Sequence, residues 1–309
     1  MIENDRQREL LARTKGMAVA LATPLSDDGA VDSGGLERLV DRVIEAGASC
    51  VFVLGWMGEQ PALTDPARCH VIDHVVQHVA GRVPVIAGVS EQSLPRSLEQ
   101  ALAAREAGAD IILATPPFSY PLTPPLIADY FEQLSRQSGM PTIVYNNSEA
   151  HTPLDVDALR TLGQVPGIVG VKDFSNFVQL ERLLANVHRE GEYVVFAAEE
   201  YFLGPAMFLG AKYSMLGGPG NLVPGWVTRM HACADQGNWA EVASGHWRLI
   251  ALCDELYGLA DSPYSTVKAA LGLLGYGCGA CVPPLPALND DQLQEVRAVL
   301  QRFEIDEAS

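Results

Sequence analysis

The sequence predicts an α/β protein, a (β/α)8 (TIM) barrel with a C-terminal helical extension. Eight short apolar runs rich in β-branched residues alternate with longer helical patterns along the chain. The runs are almost continuously apolar, which is typical of parallel strands that are covered on both faces. No G-x-G-x-x-G segment follows the first run, and this weakens an open dinucleotide-binding sheet as the alternative. Eight repeats therefore favour a closed barrel.

Each element can be placed from its own residues. The candidate strands are residues 17–22, 50–54, 84–88, 110–115, 142–145, 168–172, 193–197 and 213–217. Helical patterns lie between them, among them residues 35–46, 65–79, 94–107 and 125–136. Three helix-to-strand joints contain Gly47, Gly108 and Gly210, where glycine is expected to end the helix.

The residues after the eighth strand indicate further helices. These are residues 226–236, 239–257, 265–274 and 290–303. No linker separates them from the preceding repeats. We therefore predict a barrel with a short N-terminal leader over residues 1–225, and a helical extension packed on it over residues 226–309.

Charge and composition exclude several classes of function. The net charge of −17 argues against nucleic acid as the main partner, because phosphates attract Lys and Arg. No apolar run reaches the roughly 20 residues that span a bilayer, and the charged N-terminus does not resemble a signal peptide, so we expect a cytoplasmic protein. The six cysteines suit free thiols in a reducing compartment. Cys278 and Cys281 form a lone C-x-x-C without the second pair of a structural zinc site, so we predict no metal.

Lysine is scarce, and one lysine ends a predicted strand. The chain contains Lys15, Lys172, Lys212 and Lys268. Only Lys172 ends an apolar run, and active sites of such barrels lie at the C-terminal ends of the strands. Burial at the edge of an apolar interior lowers the pKa of a lysine and frees its amine as a nucleophile. The alternative is a lysine at the barrel rim that is paired with Asp173 or Glu199.

Two other features fall at the same predicted end of the barrel. Tyr145 ends the strand before Lys172, so its phenol could move protons beside an imine, although a tyrosine that caps the core is the alternative. The segment Gly-Trp-Met-Gly-Glu at residues 55–59 follows the second strand. Its two glycines allow the backbone amides to form a nest for a carboxylate, and an ordinary strand-to-helix turn is the alternative.

Taken together, these motifs resemble the dihydrodipicolinate synthase / N-acetylneuraminate lyase family of class I aldolases. The matching segments are residues 20–25, 55–59, 145–146, 170–173, 221–224 and 267–270. The resemblance implies that Lys172 is the Schiff-base lysine, that Tyr145 transfers protons, and that the loop around Gly58 binds the carboxylate of a 2-oxo acid. It also implies a homotetramer built as a dimer of dimers, and no metal or organic cofactor.

The sequence departs from the family pattern around the second substrate. Trp56 and Met57 stand where the family typically has two hydroxyl residues, one of which joins a proton relay. Ser119 stands where dihydrodipicolinate synthase has a second tyrosine from the neighbouring subunit, and Tyr120 replaces it only if the loop is shifted by one residue. Where the synthase has an arginine, His151 is the only candidate cation, and only when protonated.

The remaining candidates concern hydroxyl groups of a substrate. Glu199 and Glu200 stand where sialate lyases carry acidic residues for sugar hydroxyls, and a solvated rim is the alternative. The serine that assists in those lyases is replaced near Gly217. The predicted substrate-binding residues are thus Trp56, Met57, Gly58, Ser119, Tyr120, His151, Glu199 and Gly217.

We therefore expect a lyase that acts on pyruvate or another 2-oxo acid through an imine on Lys172. Aldol cleavage or addition, dehydration and deamination all share that intermediate. An authentic 4-hydroxy-tetrahydrodipicolinate synthase with a rebuilt relay is one alternative, although it lacks three contacts worth about 2–4 kcal/mol each in the transition state. A non-catalytic barrel that binds a 2-oxo acid is the other.

Overall fold

The computed structural model describes residues 2–147 and 153–306, and in them eight parallel strands close into a barrel in chain order. The strands are β1 (Gly16–Ala20), β2 (Cys50–Val53), β3 (Val85–Gly88), β4 (Ile111–Ala114), β5 (Thr142–Asn147), β6 (Ile168–Phe174), β7 (Val194–Ala197) and β8 (Tyr213–Leu216). The barrel closes where β1 pairs with β8, with Met17 opposite Ser214. The predicted (β/α)8 barrel is confirmed.

Helices separate the strands and continue beyond the last one. Helix α1 (Ile2–Arg13) precedes β1. The helices that follow the strands in turn are α2 (Ser33–Glu45), α3 (Asp65–Val79), α4 (Leu94–Ala107), α5 (Pro124–Ser138), α6 (Val156–Leu162), α7 (Phe177–Asn186), α8 (Leu203–Phe208) and α9 (Gly218–Leu222). The C-terminal helices are α10 (Pro224–Asp235), α11 (Trp239–Tyr257), α12 (Pro263–Leu273) and α13 (Asp290–Arg302). The helical extension is confirmed, and the division after residue 225 stays a prediction.

Local sequence explains where several helices begin and end. The Asp32 carboxylate accepts a hydrogen bond from the Gly35 amide and so caps the N-terminus of α2. Gly47, Gly108 and Gly210 have φ angles of 91°, 94° and 93°, in the left-handed region that favours glycine. The predicted role of these three glycines at helix ends is therefore confirmed.

Apolar side chains fill the inside of the barrel. The strand residues of this cluster are Ala18, Ala20, Cys50, Phe52, Ile86, Ile111, Leu113, Ile143, Tyr145, Val169, Val194, Phe196, Tyr213 and Met215. Leu11 of α1 is fully buried in the same cluster, so the N-terminal leader is a helix that closes the N-terminal end of the barrel. The opposite end, formed by the C-terminal ends of the strands, is where the active sites of such barrels lie. None of the helices described is long and apolar enough to cross a bilayer.

Candidate active site

The structure brings Lys172 and Tyr145 together at the C-terminal end of the barrel. Strands β5 and β6 pair with Tyr145 directly opposite Lys172, and both strands run two residues further than the sequence pattern indicated. The Lys172 Nζ atom lies 4.1 Å from the centroid of the Tyr145 ring and 5.3 Å from that of the Phe52 ring. The amine thus lies over aromatic faces rather than in water.

Burial changes the acidity of this lysine. The Lys172 residue is 6% exposed. Among the residues that the structure describes, none makes a hydrogen bond or ion pair with its amine. Burial lowers the pKa of Lys172 to about 7, and the negative charge of Glu200 acts in the opposite direction. Near pH 7 the free amine and the ammonium are therefore present in comparable amounts.

Asp173 is not the ionic partner of Lys172. Its carboxylate accepts hydrogen bonds from Asn146 Nδ2 at 2.7 Å, Ser175 Oγ at 2.6 Å and Gln179 Nε2 at 3.3 Å. Burial raises the pKa of Asp173, and these three donors oppose the shift. The carboxylate therefore joins the ends of β5 and β6 to α7, and the Lys172–Asp173 ion pair of the rim-lysine alternative is not formed.

The two adjacent glutamates after β7 lie in different environments. Glu199 is half-buried, and its carboxylate accepts a hydrogen bond from the Tyr201 amide at 3.3 Å. Glu200 is buried and accepts a hydrogen bond from the Tyr257 hydroxyl of α11. Burial raises the pKa of Glu200, and its charge acts on Lys172. The sequence singled out both glutamates, but the predicted set of substrate-binding residues includes Glu199 and not Glu200, because the pattern does not show which glutamate of the short turn after β7 points inward.

The loop after β2 supplies an apolar wall beside the lysine. The Trp56 ring meets the Tyr145 ring edge-on, with centroids 6.1 Å apart and planes at 62°. Met57 is buried and lies against Gly217, where an added Cβ would be 3.5 Å from the Met57 Cβ. Trp56 thus lies against Tyr145 and Met57 lies against Gly217, and Trp56 and Met57 supply no hydroxyl there. Their role in substrate binding stays a prediction.

Gly58 allows the same loop to approach the end of β1. A Cβ at this position would lie 3.0 Å from the Leu21 carbonyl oxygen, and Thr23 Oγ1 donates a hydrogen bond to the Gly58 carbonyl at 2.8 Å. The backbone amides of Trp56, Met57 and Gly58 donate to no acceptor within residues 2–147 and 153–306. Three neighbouring N–H groups can therefore receive an anion.

A buried ion pair fixes the loop to the C-terminal extension. Lys268 Nζ of α12 lies 2.6 Å from Glu59 Oε1, and the two side chains are 2% and 1% exposed. Glu59 also accepts from the Val282 amide at 2.6 Å, and Lys268 donates to the Thr23 carbonyl at 2.5 Å. The Lys268 amine therefore stabilises the fold through its ion pair and hydrogen bond. Lys172 is the buried lysine whose amine forms neither within the described ranges.

Breaking this pair is expected to destabilise the protein strongly. A Lys268→Met variant leaves the Glu59 carboxylate buried without its cation, which costs about 3–5 kcal/mol in the free energy of unfolding. Urea denaturation measures the change. The control is Arg229→Met, which breaks an exposed pair with Glu241 (side chains 75% and 50% exposed) and costs less than about 1 kcal/mol. Equal losses in the two variants would show that Glu59–Lys268 is no more important than a surface pair.

The sequence as a whole matches one protein family. The profile of the "Dihydrodipicolinate synthetase family" covers residues 13–303. The chain belongs to this family. It is accordingly an enzyme, an aldolase-type lyase. The predicted resemblance to this family is confirmed over nearly the whole chain.

Individual relatives of the dihydrodipicolinate synthetase family agree with this assignment. A protein of Thiobacillus denitrificans named 4-hydroxy-tetrahydrodipicolinate synthase is 31% identical over 299 residues, which cover 96% of this chain and 99% of the relative. Dihydrodipicolinate synthase of Bacteroides thetaiotaomicron superimposes with a TM-score of 0.88 at 25% identity, covering 94% of this chain and 98% of that one. YagE, a prophage protein of E. coli K12 crystallised with pyruvate, gives 0.88 at 24% identity with coverage of 94% and 99%, which supports the fold alone.

Two further predicted residues of this family member follow β4, and their role in substrate binding stays a prediction. The Ser119 amide donates to Gln92 Oε1 at 2.7 Å, and the side chain of Tyr120 is 70% exposed in the single chain. His151 lies outside the described residues. Within the described part of the chain, no group of three or more His, Cys, Asp or Glu side chains could hold a metal. Cys278 is exposed and Cys281 is buried, each as a free thiol.

Proposed function

We propose that this family member is a lyase that acts on pyruvate or another 2-oxo acid through a Schiff base on Lys172. The observation that carries the proposal is the buried Lys172 amine at the end of β6, whose pKa is lowered to about 7 and which is held over the Tyr145 ring. A neutral amine attacks the keto carbon and water leaves. The carbon next to the imine then loses a proton, or an aldehyde by aldol cleavage, and the electron pair of the broken bond passes to the protonated imine to form an enamine.

Tyr145 is the proposed proton-transfer residue. It is 5% exposed, lies opposite Lys172 across the β5–β6 pair, and its ring is fixed from the side by Trp56. A phenol held next to the imine nitrogen and the adjacent carbon can deliver and remove protons as general acid and base. The relay hydroxyls that the resemblance implies are replaced by Trp56 and Met57, so Tyr145 must exchange protons by another route.

The amides of the 55–59 loop are the proposed site for the carboxylate of the 2-oxo acid. Three neighbouring N–H groups there have no acceptor in the described ranges, and the Glu59–Lys268 pair fixes the loop to the C-terminal extension. Fixed donors bind an anion without reorganising, because their orientation is set before the ligand arrives. We also propose a cytoplasmic homotetramer, a dimer of dimers, on the basis of the resemblance.

The second substrate distinguishes this proposal from its main alternative. The name of the Thiobacillus denitrificans relative favours 4-hydroxy-tetrahydrodipicolinate synthase. Trp56, Met57 and Ser119 argue against it, because none supplies the expected relay hydroxyl or second phenol. Condensation of pyruvate with aspartate semialdehyde at a rate above that with other aldehydes would select the synthase. Cleavage or dehydration of a hydroxylated 2-oxo acid would select a different lyase.

Exchange of the methyl hydrogens of pyruvate tests the chemistry without knowledge of the second substrate. An enamine formed from pyruvate in D2O takes up deuterium when it reverts to the imine, and proton NMR records the loss of the methyl signal. The proposal predicts exchange well above the rate in buffer. Exchange at the buffer rate would favour the non-catalytic barrel that only binds a 2-oxo acid.

Imine formation is expected to depend on pH through Lys172. Only the neutral amine attacks, so the rate levels off above the pKa of about 7 and falls as the pH drops below it. One unit below the pKa the initial rate should be roughly a tenth of the plateau. Initial exchange rates at pyruvate concentrations well below saturation measure the effect, because kcat/KM reports the ionisation of the free enzyme. A rate that keeps rising up to about pH 10, the range of an ordinary lysine, would contradict the lowered pKa.

A further inference from the structure

The C-terminal extension reaches the candidate active site through Tyr257. This residue ends α11, and its hydroxyl donates a hydrogen bond to Glu200 Oε1 in the turn after β7. An added Cβ at Gly218 would lie 2.1 Å from the same hydroxyl oxygen. The turn after β8 therefore admits the hydroxyl only because residue 218 is glycine. Two neighbouring strand ends and one extension helix meet at this oxygen.

Glu200 is the group that links the Tyr257 hydroxyl to Lys172. Strand β7 lies next to β6, with Phe196 opposite Lys172, and Glu200 follows four residues later in the turn after β7, where its charge acts on Lys172. Asp173, the carboxylate next to Lys172 in sequence, instead accepts hydrogen bonds from three other side chains. The titratable groups that act on Glu200, or on which it acts, are Lys172 of β6, Tyr201 of its own turn, and Cys253 and Tyr257 of α11. Lys172 is the one cation among these groups.

The hydrogen bond from Tyr257 favours the ionised form of Glu200. Burial raises the pKa of this carboxyl, and the donated hydrogen bond opposes that rise. An ionised Glu200 stabilises the ammonium form of Lys172 and would equally stabilise the protonated imine that forms at the same nitrogen. A neutral Glu200 does neither. The state of the carboxyl thus affects both the attacking amine and the intermediate.

We propose that Tyr257 is a positioning residue of the Lys172 site, which holds the Glu200 carboxyl in place and, through it, sets how much of Lys172 is the free amine. The inference rests on the proposed function, because it concerns the amine that forms the imine. It assigns to the C-terminal extension a part in the chemistry at the mouth of the barrel.

Titration of Lys172 in the absence of substrate tests this directly. The chain has only four lysines, so protein labelled with carbon-13 at lysine Cε gives four NMR signals, and a Lys172→Met variant identifies the relevant one. In Glu200→Gln the midpoint of this signal should move to lower pH, by on the order of one unit, because the attraction for the ammonium is lost. In Tyr257→Phe it should move in the same direction, because the carboxyl loses a donor and becomes neutral more readily. The double variant should match Glu200→Gln.

Tyr201→Phe is the matched control, because the Tyr201 hydroxyl lies in the same turn region but donates to Asp254 at 2.8 Å. It should leave the Lys172 midpoint unchanged. A midpoint that stays at the wild-type value in Tyr257→Phe, or in Glu200→Gln, would overturn the inference, even if that variant were less stable to urea. An additive shift in the double variant would also overturn it, because Tyr257 would then act independently of Glu200.

The titration separates this inference from the proposed function. If pyruvate forms no imine on the wild-type protein but the midpoints shift as expected, the proposed function is wrong and the coupling stands. If the imine forms on Lys172 but the midpoints do not move, only the role of Tyr257 is wrong. Where both hold, the pH profile of pyruvate methyl exchange in Tyr257→Phe should move to lower pH together with the NMR midpoint.

Discussion

Replacing Lys172 by methionine is expected to abolish exchange of the pyruvate methyl hydrogens, a loss of roughly 10⁴- to 10⁶-fold that is typical of removing a nucleophile. No other lysine can take over. Lys268 is held in a buried ion pair with Glu59. Lys15 and Lys212 are exposed and lie next to the first residues of β1 and β8, at the opposite end of the barrel. Methionine keeps the apolar stem of the side chain, so the packing against Tyr145 and Phe52 is largely retained.

Lys212→Met is the control for this variant. It removes one positive charge from an exposed lysine before β8 and should leave the exchange rate within about twofold of wild type, as for most surface substitutions. A Lys172→Met protein that is folded by circular dichroism and keeps more than a small fraction of the wild-type rate would show that the imine forms elsewhere or not at all.

Replacing Tyr145 by phenylalanine is expected to slow exchange by about 10²- to 10⁴-fold, the range for loss of a general acid–base group. The ring remains between Trp56 and Lys172, so the site should keep its shape and pyruvate should still form an imine. The lost step is proton transfer at the methyl carbon. The variant should therefore accumulate imine that exchanges slowly, which sets it apart from Lys172→Met.

Tyr213→Phe is the matched control for Tyr145→Phe. Tyr213 is another buried tyrosine of the barrel interior, but its hydroxyl donates to Glu190 at 2.8 Å near the N-terminal end. This variant should cost some stability and little exchange activity. If both tyrosine variants lose activity equally, the effect of Tyr145→Phe reflects general damage to the barrel and not proton transfer.

The pairing of Lys172 with Tyr145 could be foreseen because it needs only strand order. In a parallel barrel, consecutive strands end side by side, so residues that end two successive apolar runs must be neighbours. The register of β5 and β6 places the two residues directly opposite each other. The same local logic predicted the glycine-rich loop after β2, whose Gly58 fits a position where a Cβ would touch the end of β1.

Contacts between residues far apart in sequence could not be foreseen. The Glu59–Lys268 pair joins residues 209 positions apart, and the Tyr257–Glu200 hydrogen bond joins residues 57 positions apart. Hydrophobic periodicity gives the type of each element but not how the extension packs on the barrel. Leu11 was missed for a related reason, because α1 is mostly polar and, of its described side chains, only Leu11, with the partly buried Leu10 packed beside it, joins the cluster inside the barrel.

Reductive trapping of pyruvate on the protein tests the central claim most directly. Sodium borohydride reduces an imine to a stable secondary amine, and peptide mass spectrometry then locates the modified lysine. We expect one adduct, dependent on pyruvate, on the peptide that contains Lys172, and none in Lys172→Met. Absence of an adduct in the wild-type protein, or an adduct on Lys212 or Lys268 instead, would contradict imine chemistry at Lys172.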